Sequence, residues 1–179
     1  MSDIHKGLAG VVADYTAISK VNPETNSLLY QGYPVQELAE NCSFEEVAYL
    51  LWHGELPDEQ GREEFRNGCM ANRDIDEDLI QVINFLPKDC HPMDVLRTAV
   101  SFLGTRDEHK FTPDAEHIRK IGTQLLAKLP TVVATDIRRR QGKDYLAPSH
   151  DKSFAENFLW MVFGDEEGSP ATIKSDIEA

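Results

Sequence analysis

The sequence predicts an all-α protein, mainly helical, with a small β-hairpin near its N-terminus. Three observations predict it. Apolar residues recur at helical spacing from residue 34 onward, capping residues mark the starts of those segments, and β-branched residues flank a strong turn in the first third. Val11 to Val21 is rich in β-branched residues and partly alternating, Asn22-Pro23-Glu24-Thr25-Asn26 is a turn signal, and Ser27 to Tyr33 returns as a second strand. Residues 1–33 are thus expected to form a segment with the hairpin, and residues 34–179 the helical part.

The helical punctuation is readable in order. Ser43 followed three residues later by Glu46 is a capping box, and the Phe44 to Trp52 segment it opens is closed by Gly54. A polar helix is expected after Pro57, with Asp58 and Glu59 at the positive end of its dipole. Asp76 caps Leu79 to Leu86, which stops at Pro87, and Pro92 opens a helix through Val95, Ala99 and Phe102 to Gly104. Thr112-Pro113 reads as a cap and first-turn proline for a helix with Ile118, Ile121, Leu125 and Leu126 inward. Pro130 reads as the start of the next, ending in Arg138-Arg139-Arg140 and Gly142. Ser153 with Glu156 is a second capping box before Phe158 to Phe163 and Gly164, and Ser169-Pro170 begins a last helix that runs to Ala179.

Composition bounds the function. In 179 residues, 41% hydrophobic and 27% charged, there is enough apolar material for one domain with a core. No apolar run is long enough to cross a bilayer, and the N-terminus lacks a secretory pattern, so a cytoplasmic protein without a membrane partner is expected. A formal charge of −13 repels a phosphate backbone and argues against a nucleic-acid partner. An anionic ligand needs a local basic pocket set against that field. Cys42, Cys69 and Cys90 are far apart, with no ligand spacing beside them, and read as reduced structural thiols; no metal site is expected.

Motifs for nucleotide or acyl-ester chemistry are missing: there is no P-loop, no G-x-G-x-x-G and no G-x-S-x-G. Lys6 beside Gly7 to Gly10 is either a solvated lysine or a point charge for a phosphate. None of the six histidines has a partner at i, i+4; His91 is placed to bond backbone groups where a helix starts, and His53 suits a helix C-terminus. The Arg138-Arg139-Arg140 cluster with Lys143 is explained by the helix dipole and solvent exposure, with ligand binding as the other reading. Asp74 to Asp78 reads as a solvated acidic face.

Particular stretches carry the reading further. Ile4-His5-Lys6-Gly7-Leu8-Ala9-Gly10-Val11, Leu29-Tyr30-Gln31-Gly32-Tyr33, Cys42 to Trp52, His91-Pro92-Met93-Asp94 with Arg97-Thr98, and Phe154 to Leu159 resemble, in order, segments of the citrate synthase family, of the bacterial citrate and 2-methylcitrate type. The resemblance implies the N-terminal half only: a portion of that family's helical large domain, with the small catalytic domain absent. It implies a dimeric transferase condensing acetyl-CoA or propionyl-CoA with oxaloacetate, with acyl-CoA as substrate and no permanently bound cofactor. In that family an aspartate removes a proton beside the thioester, one histidine stabilises the enolate and another polarises the ketone.

The family's His-x-x-Asn-Ala-Ser-Thr, Gly-Pro-x-His-Gly and Gly-Phe-Gly-His segments do not occur in residues 1–179, so no catalytic residue is expected in this chain and the isolated chain is expected to be inactive. By resemblance, Arg73 is the candidate substrate contact, near Met70 where relatives place a basic residue, and Lys6 is the candidate coenzyme contact. Gln31 stands where the family usually has arginine, which reduces any charge-assisted bond there to a neutral one. The other reading is a truncated paralogue, not an enzyme, that serves as a helical interaction module.

Overall fold

The computed structural model describes residues 7, 10–12, 14–108, 111–112 and 114–164. The chain divides into two compact units, Met1–Arg62 and Glu63–Ala179.

The first unit opens with a three-stranded antiparallel meander, β1 (Ser19–Asn22), β2 (Ser27–Tyr30) and β3 (Tyr33–Pro34), in the order β1-β2-β3. The register pairs Ser19 with Tyr30 and Asn22 with Ser27. The expected hairpin is present, with two differences. Its first strand is confined to four residues instead of the whole Val11 to Val21 stretch, since β-branched composition alone supplies no pairing partner for residues 11–17. A third strand is added because Gln31 and Gly32 both adopt positive φ (48° and 89°), which a tight two-residue hairpin turn requires. Gln31 is thus a turn residue.

Helix α1 (Val35–Asn41) packs on β2 and β3 through buried Leu38. Helix α2 (Phe44–His53) begins with the expected capping box: the Glu46 amide donates to Ser43 Oγ at 3.3 Å and the Ser43 amide to Glu46 Oε2 at 2.8 Å. It ends at Gly54 in the left-handed region. His53, at that end, stacks on Tyr49 with ring centroids 4.0 Å apart. Burial opposes ionisation of Glu46, but the bonds from Ser43 and the charge of Arg62 outweigh it and hold the carboxyl below its usual range.

Helix α3 (Glu59–Ala71) leads into the second unit, which contains α4 (Glu77–Phe85), α5 (Pro92–Thr105), α6 (Ala115–Gln141) and α7 (Phe154–Phe163). The Gly61 amide donates to Asp58 Oδ1 at 2.8 Å, so the expected acidic start of α3 is borne out. So is the Asp76 cap of α4, which receives the Leu79 amide at 2.9 Å, and the His91 cap of α5, whose Nδ1 accepts from the Met93 amide at 3.2 Å. The core joins Ile75, Leu79, Ile80 and Ile83 to Val95 and Ala99 of α5 and Val132 of α6. A second cluster joins Ala134 of α6 to Met161 and Val162 of α7.

Helix α6 departs most from expectation. It is capped by Asp114, whose Oδ1 accepts from the His117 amide at 2.8 Å, not by Thr112, and it runs unbroken through Pro130 for 27 residues. Proline withholds an N–H from the Leu126 carbonyl and crowds that carbonyl with its ring. The turns after it hold the helix together: Thr131, Val132, Ala134 and Thr135 are buried, and Thr131 Oγ1 donates to the Arg73 carbonyl at 2.8 Å. Tertiary packing overrides the local breaker. Ile118, expected inward, is 59% exposed. The expected helix from Ser169-Pro170 lies outside the described residues.

Candidate functional site

The polar chemistry of the second unit is concentrated in three places. The first is Arg73, 1% exposed, between α3 and α4. Its Nη1 donates to the carbonyls of Ser149 and Lys152, each at 2.8 Å, and so ties down the loop before α7. That loop is fixed again where the Ser149 amide donates to Oδ1 of buried Asn157 at 2.7 Å, and where His150 Nε2 lies 3.0 Å from Asp74 Oδ2. The Asp74 charge and, more strongly, burial push the Tyr145 phenol above its usual range. Arg73, the candidate substrate contact, is in these bonds an anchor within the fold. Lys6, the candidate coenzyme contact, lies outside the described residues.

The second place is the arginine triplet that ends α6. Sequence reasoning explained it by the helix dipole and solvent exposure; the structure corrects the exposure. Arg139 is buried and donates from Nη2 to Asp136 Oδ1 at 2.7 Å, while Arg140 Nε donates to Asp136 Oδ2 at 2.7 Å. Their remaining donors reach carbonyls of the loop that follows α4: Arg139 to Leu86 and Pro87, Arg140 to Lys88 and Cys90. Arg138 donates to the carbonyls of Asp144 and Val162. One carboxylate and a set of backbone oxygens therefore account for the cluster. Its chemistry is structural, a folded clamp on the 86–90 loop.

The third place is a cavity of about 480 Å³ between the end of α5 and the first half of α6. Val100, Leu103, Ile121 and Leu125 supply apolar walls, and Arg106, His117, Lys120 and Lys128 supply nitrogen. His117 Nε2 meets both carboxylate oxygens of Asp107, at 2.9 and 3.0 Å. Arg106 bonds the carboxylates of Asp76 and Asp78 and His150 meets Asp74, so three of the four carboxylates in the run read as a solvated face have a basic side-chain partner. Burial depresses the Lys128 ammonium below its usual value, against the pull of Asp74 and Asp76. Sequence reading missed His117 with Asp107 because the two lie on different segments, Asp107 in the loop after α5 and His117 in the first turn of α6, and no single-element period joins them. Among the described residues no cluster could hold a metal ion, and no helix is long and apolar enough to cross a membrane.

None of the three cysteines is in a disulfide; Cys69 is buried, and Cys42 and Cys90 are half-buried. Burial, with the charge of Glu46 behind it, pushes the Cys42 thiol up, away from the reactive thiolate.

The first unit holds a meander and the second a helical bundle with arginines bonded to backbone oxygens; the family they belong to is decided by comparison. The sequence matches the family described as citrate synthase, C-terminal domain, over residues 7–175. The chain belongs to the citrate synthase family. Among relatives of this family, it is 60% identical over 176 residues to 2-methylcitrate synthase 2 of Corynebacterium glutamicum, covering 98% of this chain and 46% of that protein. It is 52% identical to 2-methylcitrate synthase of Mycobacterium tuberculosis over 90% or more of the chain (91%) and 41% of that protein. A citrate synthase structure from Thermoplasma acidophilum, a ternary complex with carboxymethyl coenzyme A and oxaloacetate, superposes with a TM-score of 0.84 at 25% identity, covering 90% of this chain and 42% of that one. The structure of citrate synthase from Pyrobaculum aerophilum superposes with a TM-score of 0.82 at 34% identity. The helical fold is therefore that of citrate synthases, and the chain spans less than half the length of the relatives it matches.

Proposed function

We propose that this chain is the scaffold part of an enzyme that condenses an acyl-CoA, acetyl-CoA or propionyl-CoA, with oxaloacetate to give citrate or 2-methylcitrate. The observation that carries the reading is the 60% identity to a 2-methylcitrate synthase across 98% of the chain. The condensation needs a base beside the thioester carbon and preorganised donors where enolate and alkoxide charge develops. The resemblance places those groups in segments that residues 1–179 do not contain, so these residues contribute positioning. Within this reading the acyl-CoA is a substrate and not a resident cofactor. Lys6 is the candidate for a coenzyme phosphate and Arg73 for a substrate carboxylate, in a homodimeric cytoplasmic enzyme.

Free-thiol release from acetyl-CoA or propionyl-CoA with oxaloacetate tests the reading. The isolated 179-residue chain should give none above background. The same chain fused to the remaining portion of the Corynebacterium relative should release coenzyme A with either substrate. The two acyl chains differ by one methylene, so discrimination should stay within about 10–200-fold. A folded fusion with no turnover would reject the condensing reading; turnover by the isolated chain would reject the assignment of its residues to scaffold.

A further inference from the structure

We draw no further inference here: the strongest candidate, the cavity of about 480 Å³ between the end of α5 and the first half of α6, has its Arg106 and His117 already paired with Asp76, Asp78 and Asp107, and nothing in the structure shows what fills or covers it.

Discussion

The two ends of the α5–α6 pair are built on opposite plans. Where α5 starts and α6 finishes, Asp136 is 5% exposed, accepts from two arginines, and those arginines go on to satisfy the carbonyls of residues 86, 87, 88 and 90. Where α5 finishes and α6 starts, Arg106 pairs with Asp76 and Asp78 in solvent, beside the more sheltered His117–Asp107 pair, and Val100 and Ile118 are partly exposed. A charge withdrawn from water must have every donor and acceptor matched, so the first end is a closed network whose parts depend on one another. The second end tolerates change because water screens its charges.

Substitutions can break that contrast. Asp136→Ala should have the largest effect, about 3–5 kcal/mol lost in urea unfolding, since it leaves the guanidinium of Arg139 buried without its counterion. A loss under about 1 kcal/mol would show that water enters the clamp and that its two ends do not differ. Ser153→Ala, which removes the capping box of α7 beside the loop tied by Arg73, should cost about 1 kcal/mol by the same measurement. At the second end, Asp78→Asn should change stability by about 0.5 kcal/mol or less, and that change should vanish in 1 M salt. Phe85→Ser, at a ring 94% exposed, should cost no more than Asp78→Asn, leaving the unfolding free energy within about 0.5 kcal/mol while reducing self-association in light scattering.

The first unit supplies a pH-dependent counterpart. Glu46 has a folded pKa below its unfolded value, so the stability it confers is complete above about pH 4.5 and is lost as pH falls through the lower folded value. Ser43→Ala should flatten that acid limb as well as lower the plateau, in unfolding curves taken across the acid range.

Most of the helical punctuation was legible because caps are local. Ser43, Asp76, His91 and Ser153 each accept from an amide two or three residues on, so residue type and spacing carry the information. Three features were not legible, and each depends on distant partners. Pro130 remains helical because Thr131 bonds the carbonyl of Arg73, 58 positions earlier, and Val132 packs in a core with Leu79, Ile83 and Val95. Arg139 looks like a surface cation until the carbonyl of Leu86, 53 residues earlier, is brought to it. Ile118 fits the apolar period but meets no neighbour to cover it. The family was legible from the ordered wording of short segments, whereas the role of Arg73 was inherited from alignment, and that of Lys6 rested on alignment and on its place beside Gly7 to Gly10.

Helix α6 spans about 40 Å at 1.5 Å per residue, and every one of its buried residues lies from Ala127 onward. Pro130 interrupts the amide ladder close to that changeover. Peptide groups on the packed side can open only when the bundle itself opens, while those on the leading side need only fray from Asp114. A single continuous rod should thus show two separate lifetimes in amide exchange, with the changeover set by the missing donor at residue 130.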